Sequence, residues 1–488
     1  MLHYAGHGSL NEDKVNPALA LEMEIDQAIE YGGFGKAQLF YIAASATTFF
    51  FELLHLITDG ILLPTFKCEW DLSHAQASIF LFSIRISTFI GGFVGGKLGD
   101  TVGRRKCILM GFSFQILMTL CSVLSHNVVV FTMFHSLNRV AFGVLMPSAL
   151  TIALEVCPQS KRFLVKMVFG IAGTMGALCG SGFVAQYFAV LGWRDVLLRV
   201  SLTCFIPMFA FYILPPSARF LLVQNKVTAA KDVIDRIYDL NGVEKKEFVL
   251  KSNPEIVEQR GSYAELFKHG LGPQSRKISF VMAMKGLFIT TLHISLPYIM
   301  MSRNPSQPGP ASQAGNAQAD SSCYKIHAKA YNQIAMAILP DLLIHPSMLL
   351  IAQHYGRRPA ITIAFTLASV FLLLSATVSS SLLFSLSIGV GLGSVQAGRS
   401  VTVLFASELY PTTLRSVANG MIWSADCLAS LIVPVITEYV MMEHSDVFIV
   451  LAALAMGASA VVMSSVRSET LGKALKDSVQ SGSDKMTV

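Results

Sequence analysis

The segment Gly96-Lys97-Leu98-Gly99-Asp100-Thr101-Val102-Gly103-Arg104-Arg105-Lys106 is short and charged, and it lies between two long apolar runs. Part of it recurs, because Gly103-Arg104-Arg105 returns as Gly356-Arg357-Arg358 at an offset of 253 residues (103 to 356). The segment 155–162, EVCPQSKR, returns as 408–415, ELYPTTLR, at the same offset (155 to 408). Two motifs that share one offset indicate that the chain consists of two duplicated halves.

The composition indicates a membrane protein. The 488 residues are 53% hydrophobic and only 14% charged, with a mean hydropathy of +0.55, which departs from soluble domains in both respects. A hydrocarbon core of about 30 Å needs about 20 apolar helical residues to cross it, and only helices or closed barrels satisfy the backbone there. The apolar runs have helix length, so we predict an all-α membrane protein. Residues 1–36 are polar and acidic, and we expect no cleavable secretory signal.

Six spans are predicted in each half, in two pseudo-symmetric six-helix bundles at 37–214 and 278–466. A cytoplasmic segment 1–36, a cytoplasmic linker 215–277 and a cytoplasmic tail 467–488 flank them. Within the linker, the apolar spacing over 226–240 and the following Asn241-Gly242 predict an amphipathic helix. The spans are expected at about 38–64, 75–96, 107–125, 127–153, 164–189, 193–214, 278–301, 331–352, 359–379, 381–407, 416–440 and 447–466.

The net charge of +6 is explained by topology. The loops on one predicted side hold 21 Lys and Arg residues, and those on the other side hold five. Positive loops stay in the cytoplasm, so both termini are expected there, and nucleic-acid binding is not. Of eight cysteines, only Cys68 and Cys323 fall in non-cytoplasmic loops, where a disulfide between them is one option.

Charged residues within the spans are the candidate substrate or coupling sites. Glu52, His55 and Asp59 share one helix face at i, i+3 and i+7. A charge at the bilayer centre costs on the order of 2.5 to 3.5 kcal/mol, so such residues usually face a cavity or a partner. The alternative to a functional site is that these residues form fixed ion pairs between helices. The other predicted cavity residues are Arg85, Arg139, Lys285, Asp341, Arg399 and Asp426, with Arg199, His293 and His345 as further candidates.

A phosphate-binding loop is excluded. Gly91-x4-Gly96-Lys97 is followed by Leu98 rather than Ser or Thr, and no strand precedes it. No other catalytic constellation is present in the sequence. We therefore expect no enzyme activity, no cofactor and no metal site, and we expect a monomer in the lipid bilayer.

Several motifs together resemble the major facilitator superfamily, in its sugar-porter and organic-ion branch. They are Gly-x-Leu-x-Asp-x-x-Gly-Arg-Arg over 96–105, Glu155-x-x-Pro158-x-x-x-Arg162 and its copy at 408–415, Ser217-x-Arg219-Phe220-Leu221, and Glu469-Thr470-Leu471-Gly472. More narrowly, Glu30-x-x-Gly33-Phe34-Gly35-Lys36 with the segment 61–70, ILLPTFKCEW, is similar to the synaptic vesicle 2-related proteins.

The resemblance implies two bundles that rock about a central cavity, with a charged gate on the cytoplasmic side. Two departures weaken the pattern: Gln353 replaces a frequent acid, and Pro216 replaces a usual Glu. One half of the gate is therefore expected to be weaker than the other. The implied gate residues are Asp100, Arg104, Arg105, Glu155, Arg162, Arg357, Arg358, Glu408 and Arg415.

Two functions follow as hypotheses. The first is a secondary active transporter of a small organic ion, with proton coupling as an option and the sign of the substrate charge left open. The second is a transporter-shaped protein that binds partners or regulates vesicle traffic without net flux. The resemblance suggests a secretory or synaptic vesicle membrane, with the plasma membrane as the alternative.

Overall fold

The computed structural model describes residues 21–60, 62–246, 248–250, 263–268, 271–303, 328–410, 412–466 and 468–470. It contains twelve helices long and apolar enough to cross a membrane. The predicted fold class and the twelve spans are therefore confirmed. Cys323 and the side chains of Cys68, Asp100 and Arg415 lie outside the described residues, and so do the disulfide and gate expectations that rest on them.

The first half contains spans 1 to 6. Spans 5 and 6 are one helical run that is interrupted at Gly192, where φ is 73°. The helices are Lys36–Asp59 and Leu62–Glu69 in span 1, His74–Thr101 in span 2, Arg104–Val123 in span 3, Val128–Val156 in span 4, and Arg162–Thr203 with Phe205–Ile213 in spans 5 and 6.

The second half contains spans 7 to 12. Spans 7 and 11 each include one π-helical turn, Lys285–Ile289 and Thr437–Met441. The remaining helices are Gly272–Met284 and Thr290–Ser302 in span 7, Ala328–Ile338 and Asp341–Tyr355 in span 8, Arg357–Thr377 in span 9, Ser381–Leu409 in span 10, Thr412–Ser430 and Val433–Ile436 in span 11, and Met442–Ser464 in span 12.

The duplication is visible in the helix boundaries. Span 4 runs from 128 to 156 and span 10 from 381 to 409, so both ends are shifted by 253 residues. The turns before spans 3 and 9 hold Gly103 and Gly356 at φ values of 97° and 111°. L-residues with a side chain rarely adopt this conformation. We call the membrane side that carries these two turns the motif side.

The N-terminal segment and the linker form one unit on the motif side. Strand β1 (Leu21–Met23) pairs in parallel with strand β2 (Phe248–Leu250). The unit also contains the N-terminal helix Ile25–Tyr31, the short helix Ala218–Val223 and the linker helix Val227–Asn241, which ends at Gly242 in the left-handed conformation. The amphipathic helix predicted at 226–240 is thus confirmed. A short 3-10 helix, Tyr263–Phe267, leads toward span 7.

The linker helix is fixed to the N-terminal helix by a buried tyrosine. The hydroxyl of Tyr238 donates to the backbone oxygen of Ala28 at 2.8 Å, and its ring contacts that of Tyr31 edge to face. Burial, helped by Asp235 and Tyr31, raises the pKa of Tyr238 to about 12. The hydroxyl therefore remains a hydrogen-bond donor at physiological pH.

Candidate functional site

A cluster of charged and polar side chains lies inside the first bundle, between spans 1 and 4. Arg139 is 1% exposed, and its Nη1 lies 2.9 Å from Oδ2 of Asp59, whose side chain is 9% exposed. The contact has ion-pair distance without the angle of an aligned hydrogen bond. His135 Nε2 and His55 Nε2 lie 3.5 and 3.7 Å from the same carboxylate. Arg139 also stacks over the ring of Phe142, 4.2 Å from its centroid.

Glu52 is the deepest carboxyl group of this span 1–span 4 cluster. It is fully buried, and neither of its carboxylate oxygens reaches hydrogen-bond geometry with a described residue. Gln115 lies beside it and contacts Nδ1 of His55 at 3.4 Å. Ionisable groups buried inside a membrane bundle are expensive and usually functional.

A second cluster lies inside the second bundle, between spans 7, 10 and 11. Nζ of Lys285 lies 3.1 Å from both carboxylate oxygens of Asp426, and Nε of Arg399 lies 3.8 Å from one of them. Lys285 begins the π-helical turn of span 7. A side chain at the next residue, Gly286, would meet the backbone oxygen of Asp426 at 2.2 Å. At this turn and glycine, spans 7 and 11 are in direct contact. Single π turns often occur at functional sites.

Further charged side chains connect the two bundles. The hydroxyl of Thr174 in span 5 donates to Asp341 in span 8 at 2.5 Å. Arg85 in span 2 is close enough for electrostatic interaction with Arg139 and with Asp426 across the interface. Lys166 in span 5 interacts in the same way with Arg399 in span 10.

On the side opposite the motif side, an ion pair joins the two bundles. Nζ of Lys67, at the end of span 1, lies 2.5 Å from Oε2 of Glu438 in span 11. Nδ1 of His74, at the start of span 2, lies 3.2 Å from the same oxygen. The side chain of Glu438 is 0% exposed, although two partners from the other bundle reach it.

On the motif side, the ion pairs of the described residues lie within one half. Nε of Arg104 lies 3.7 Å from Glu155, and Arg105 donates to the backbone oxygens of Phe211 and Tyr212 at 2.9 and 2.5 Å. In the second half, Arg357 binds Glu408 through two bonds of 2.8 and 2.9 Å, and Arg358 donates to the backbone oxygen of Ser464. Glu469 accepts from the backbone N–H groups of Arg357 and Arg358 at 2.9 and 3.0 Å.

Comparison with known proteins identifies the family. The profile of the family described as "Sugar (and other) transporter" matches residues 38–292, more than half of the chain. The chain belongs to this family. It is similar to SVOPL of Homo sapiens, named as a candidate transporter, with 23% identity over 470 residues, 93% of each chain. It is also similar to solute carrier family 22 member 6 of Mus musculus, with 23% identity over 443 residues, 87% of this chain and 75% of that one.

A solved structure shows the same fold. The major facilitator superfamily proton:xylose symporter XylE of E. coli aligns with a TM-score of 0.66 and 16% identity, over 91% of this chain and 99% of the symporter. This member of the sugar (and other) transporter family therefore has the major facilitator fold, as the motifs predicted. The chain belongs to a family of transporters rather than of enzymes.

The structure groups the predicted cavity residues of this transporter into two clusters and a bridge. Glu52, His55, Asp59 and Arg139 lie in the first bundle, Lys285, Arg399 and Asp426 lie in the second, and Arg85 and Asp341 lie at the interface. His293 and His345 lie near this interface as well. Arg199 is exposed and has no hydrogen bond or ion pair among the described residues, so it belongs to neither cluster.

Sequence reasoning missed several members of these networks. His135 lies one helical turn before Arg139, so i, i+4 spacing is a signal that could have found it. Lys166 lies one turn inside the helix of span 5 and within the predicted span 164–189, but it is not among the predicted cavity residues. No sequence signal links Lys67 to Glu438, which are 371 residues apart.

Proposed function

We propose that this protein is a secondary active transporter that moves a small organic ion by alternating access, coupled to protons through the span 1–span 4 cluster. The observation that carries the proposal is that each bundle encloses one buried ionic cluster and that Arg85 lies within electrostatic range of both. Transport needs charges that change partners as the bundles rock. Fixed packing alone does not need a buried ionic cluster in each bundle.

The span 1–span 4 cluster is suited to proton movement. Arg139, His55 and His135 all approach one carboxylate, that of Asp59. A proton gained or lost there changes which of these contacts the carboxylate keeps. Glu52 lies one helical turn from His55 and beside Gln115, which also contacts His55. A proton at Glu52 is therefore next to the groups that surround the Asp59 carboxylate.

Reconstitution in liposomes tests the coupling. We expect Glu52→Gln to abolish uptake driven by an imposed pH gradient and to leave exchange of internal for external substrate intact. Glu443→Gln, which changes a carboxyl group with a 78% exposed side chain, is the matched control and should behave as the wild type. Unchanged gradient-driven uptake in Glu52→Gln would contradict the assigned role.

The cross-bundle ion pair tests alternating access separately. Lys67 and Glu438 can remain paired only while the side opposite the motif side is closed. We expect Lys67→Glu to slow flux by roughly tenfold or more because two carboxylates then face each other across the interface. The exchanged pair Lys67→Glu with Glu438→Lys should restore it. A double variant as slow as Lys67→Glu would count against this closing contact.

The proposal also covers the membrane in which the protein resides and its orientation in that membrane. We infer that the motif side is cytoplasmic, supported by the excess of Lys and Arg in its loops, and that the protein resides in a secretory or synaptic vesicle membrane or in the plasma membrane. Tags at both termini should be accessible in intact vesicles only from the cytoplasmic face. A vesicle-traffic protein without transport activity, the other function considered, predicts no flux of any ion in the liposome assay.

A further inference from the structure

We infer that the transported ion is a small organic anion, bound at the interface between the bundles by Arg85, Lys166 and Arg399. This inference rests on the proposed function and names its substrate class. The second-bundle cluster and the side chains that link it to the first bundle include four cations, Arg85, Lys166, Lys285 and Arg399, and two carboxylates, Asp341 and Asp426. This group of six side chains therefore carries a formal excess of two positive charges.

The cations are unequally neutralised. Lys285 donates to both oxygens of Asp426, and it therefore neutralises most of the charge of that carboxylate. Arg399 reaches it only at 3.8 Å, and its side chain is 30% exposed. Arg85 and Lys166 have no hydrogen bond and no ion pair in the part of the chain that the structure describes. Partly buried cations that lack an anion repel each other, and an anionic ligand between them removes that repulsion.

Trp423 is a second, independent indication of a ligand. It lies on span 11 with Arg399 over its ring, 5.2 Å from the centroid. Its indole Nε1 is buried and has no acceptor among the described residues. A buried N–H donor without an acceptor is rare in native proteins. Here the donor faces Gly92 of span 2, at the same interface. A carboxylate or sulfonate oxygen satisfies this donor and the neighbouring cations at once.

A pair of matched ligands tests the sign of the charge. Benzoate and benzylamine have similar size and opposite charge, and so do succinate and putrescine. We expect both anions to quench part of the tryptophan fluorescence, the part contributed by Trp423, and to raise the Tm of the purified protein, and both amines to do neither. Binding by the amines, or absence of binding by both anions, would overturn the inference.

Substitutions locate the site. Arg85→Gln and Lys166→Gln should each weaken benzoate binding by about 10- to 100-fold, because a charge-assisted hydrogen bond is lost. Arg85→Lys, which keeps the charge, should retain most of the affinity. Arg199→Gln is the control for loss of an arginine outside the clusters and should bind as the wild type.

Stability separates a ligand site from a structural one. Without ligand, Arg85→Gln and Lys166→Gln should leave the Tm unchanged or raise it, because each removes an uncompensated charge. A lower Tm with unchanged benzoate affinity would mean that these residues support the fold instead. If anions bind but no ion of either sign crosses liposomes, the transport proposal fails and the anion site stands. If amines are transported instead, transport stands and the anion site fails.

Discussion

The two motif-side turns have the same backbone and are held by different groups. Gly103 and Gly356 both have positive φ, and each is followed by an arginine that faces a glutamate of the next span. Arg357 makes two short bonds to Glu408, whereas Arg104 reaches Glu155 at 3.7 Å. Glu469 also accepts the first backbone N–H groups of span 9. The residue 253 positions earlier is Pro216, which has no acceptor side chain.

The first half uses other parts of the chain instead. Arg219, from the linker, donates to the backbone oxygen of Glu155 and pairs with Asp26 of the N-terminal helix. Glu30 accepts from the backbone N–H of Gln159 at 3.1 Å and from the hydroxyl of Ser160. The two halves therefore share one backbone arrangement at these turns, and different side chains anchor it in each half.

The largest expected difference is between the losses of stability on substitution of Glu408 and of Glu155. Glu408→Gln leaves a largely buried arginine without its carboxylate, and we expect a loss of about 3 kcal/mol of stability. Glu155→Gln breaks a long contact between partly exposed side chains and should cost less than about 1 kcal/mol. Thermal unfolding in one detergent compares the pair. Equal losses would show that the distances do not report the strength of the two contacts.

Glu469→Gln should have the next largest effect. It removes a charge from the N-terminus of span 9, where the carboxylate accepts three backbone N–H groups, those of Arg357, Arg358 and Thr470. We expect a loss of about 1 to 2 kcal/mol. Hydrogen exchange at Arg357 and Arg358 should become faster, while exchange at Arg104 stays unchanged. Faster exchange in both halves would contradict the prediction that Glu469 stabilises only the second half.

Tyr238→Phe tests the anchor of the first half. The variant loses one hydrogen bond to the backbone oxygen of Ala28 and keeps the ring contact with Tyr31, so we expect a cost of about 1 kcal/mol. Limited proteolysis should then cut near residues 21–36 sooner than in the wild type. Tyr263→Phe, which changes an exposed tyrosine, is the control, and equal cleavage of the two variants would argue against the anchor.

The smallest effect is expected from adding the missing acid. Pro216→Glu should place a carboxylate near the N-terminus of span 3 and slow hydrogen exchange at Arg104 and Arg105. Its contribution of about 0.5 kcal/mol is offset in part because the proline no longer restricts the unfolded chain. Exchange rates identical to the wild type would show that the halves differ in backbone position as well as in side chains.

The sequence predicted the helices and the internal repeat better than it predicted the contacts between side chains. Apolar length determined the twelve spans, and the shared offset predicted the repeat that spans 4 and 10 show residue for residue. Charged residues within apolar runs were readily found, and most of them cluster. Their partners were not predictable, because helical periodicity indicates which face is polar and not which distant helix it meets. Glu469 was recognised as part of a motif, but its contact with Arg357 depends on the packing of span 12 against span 9.

The parallel pairing of β1 with β2 has a consequence for biosynthesis. Leu21 is opposite Phe248, so the N-terminal strand has no partner until 227 further residues have been translated (21 to 248). At 5 to 20 residues per second this interval is about 10 to 50 s, during which all six spans of the first bundle leave the ribosome. The strand pair thus forms only after the six spans of the first half have been synthesised.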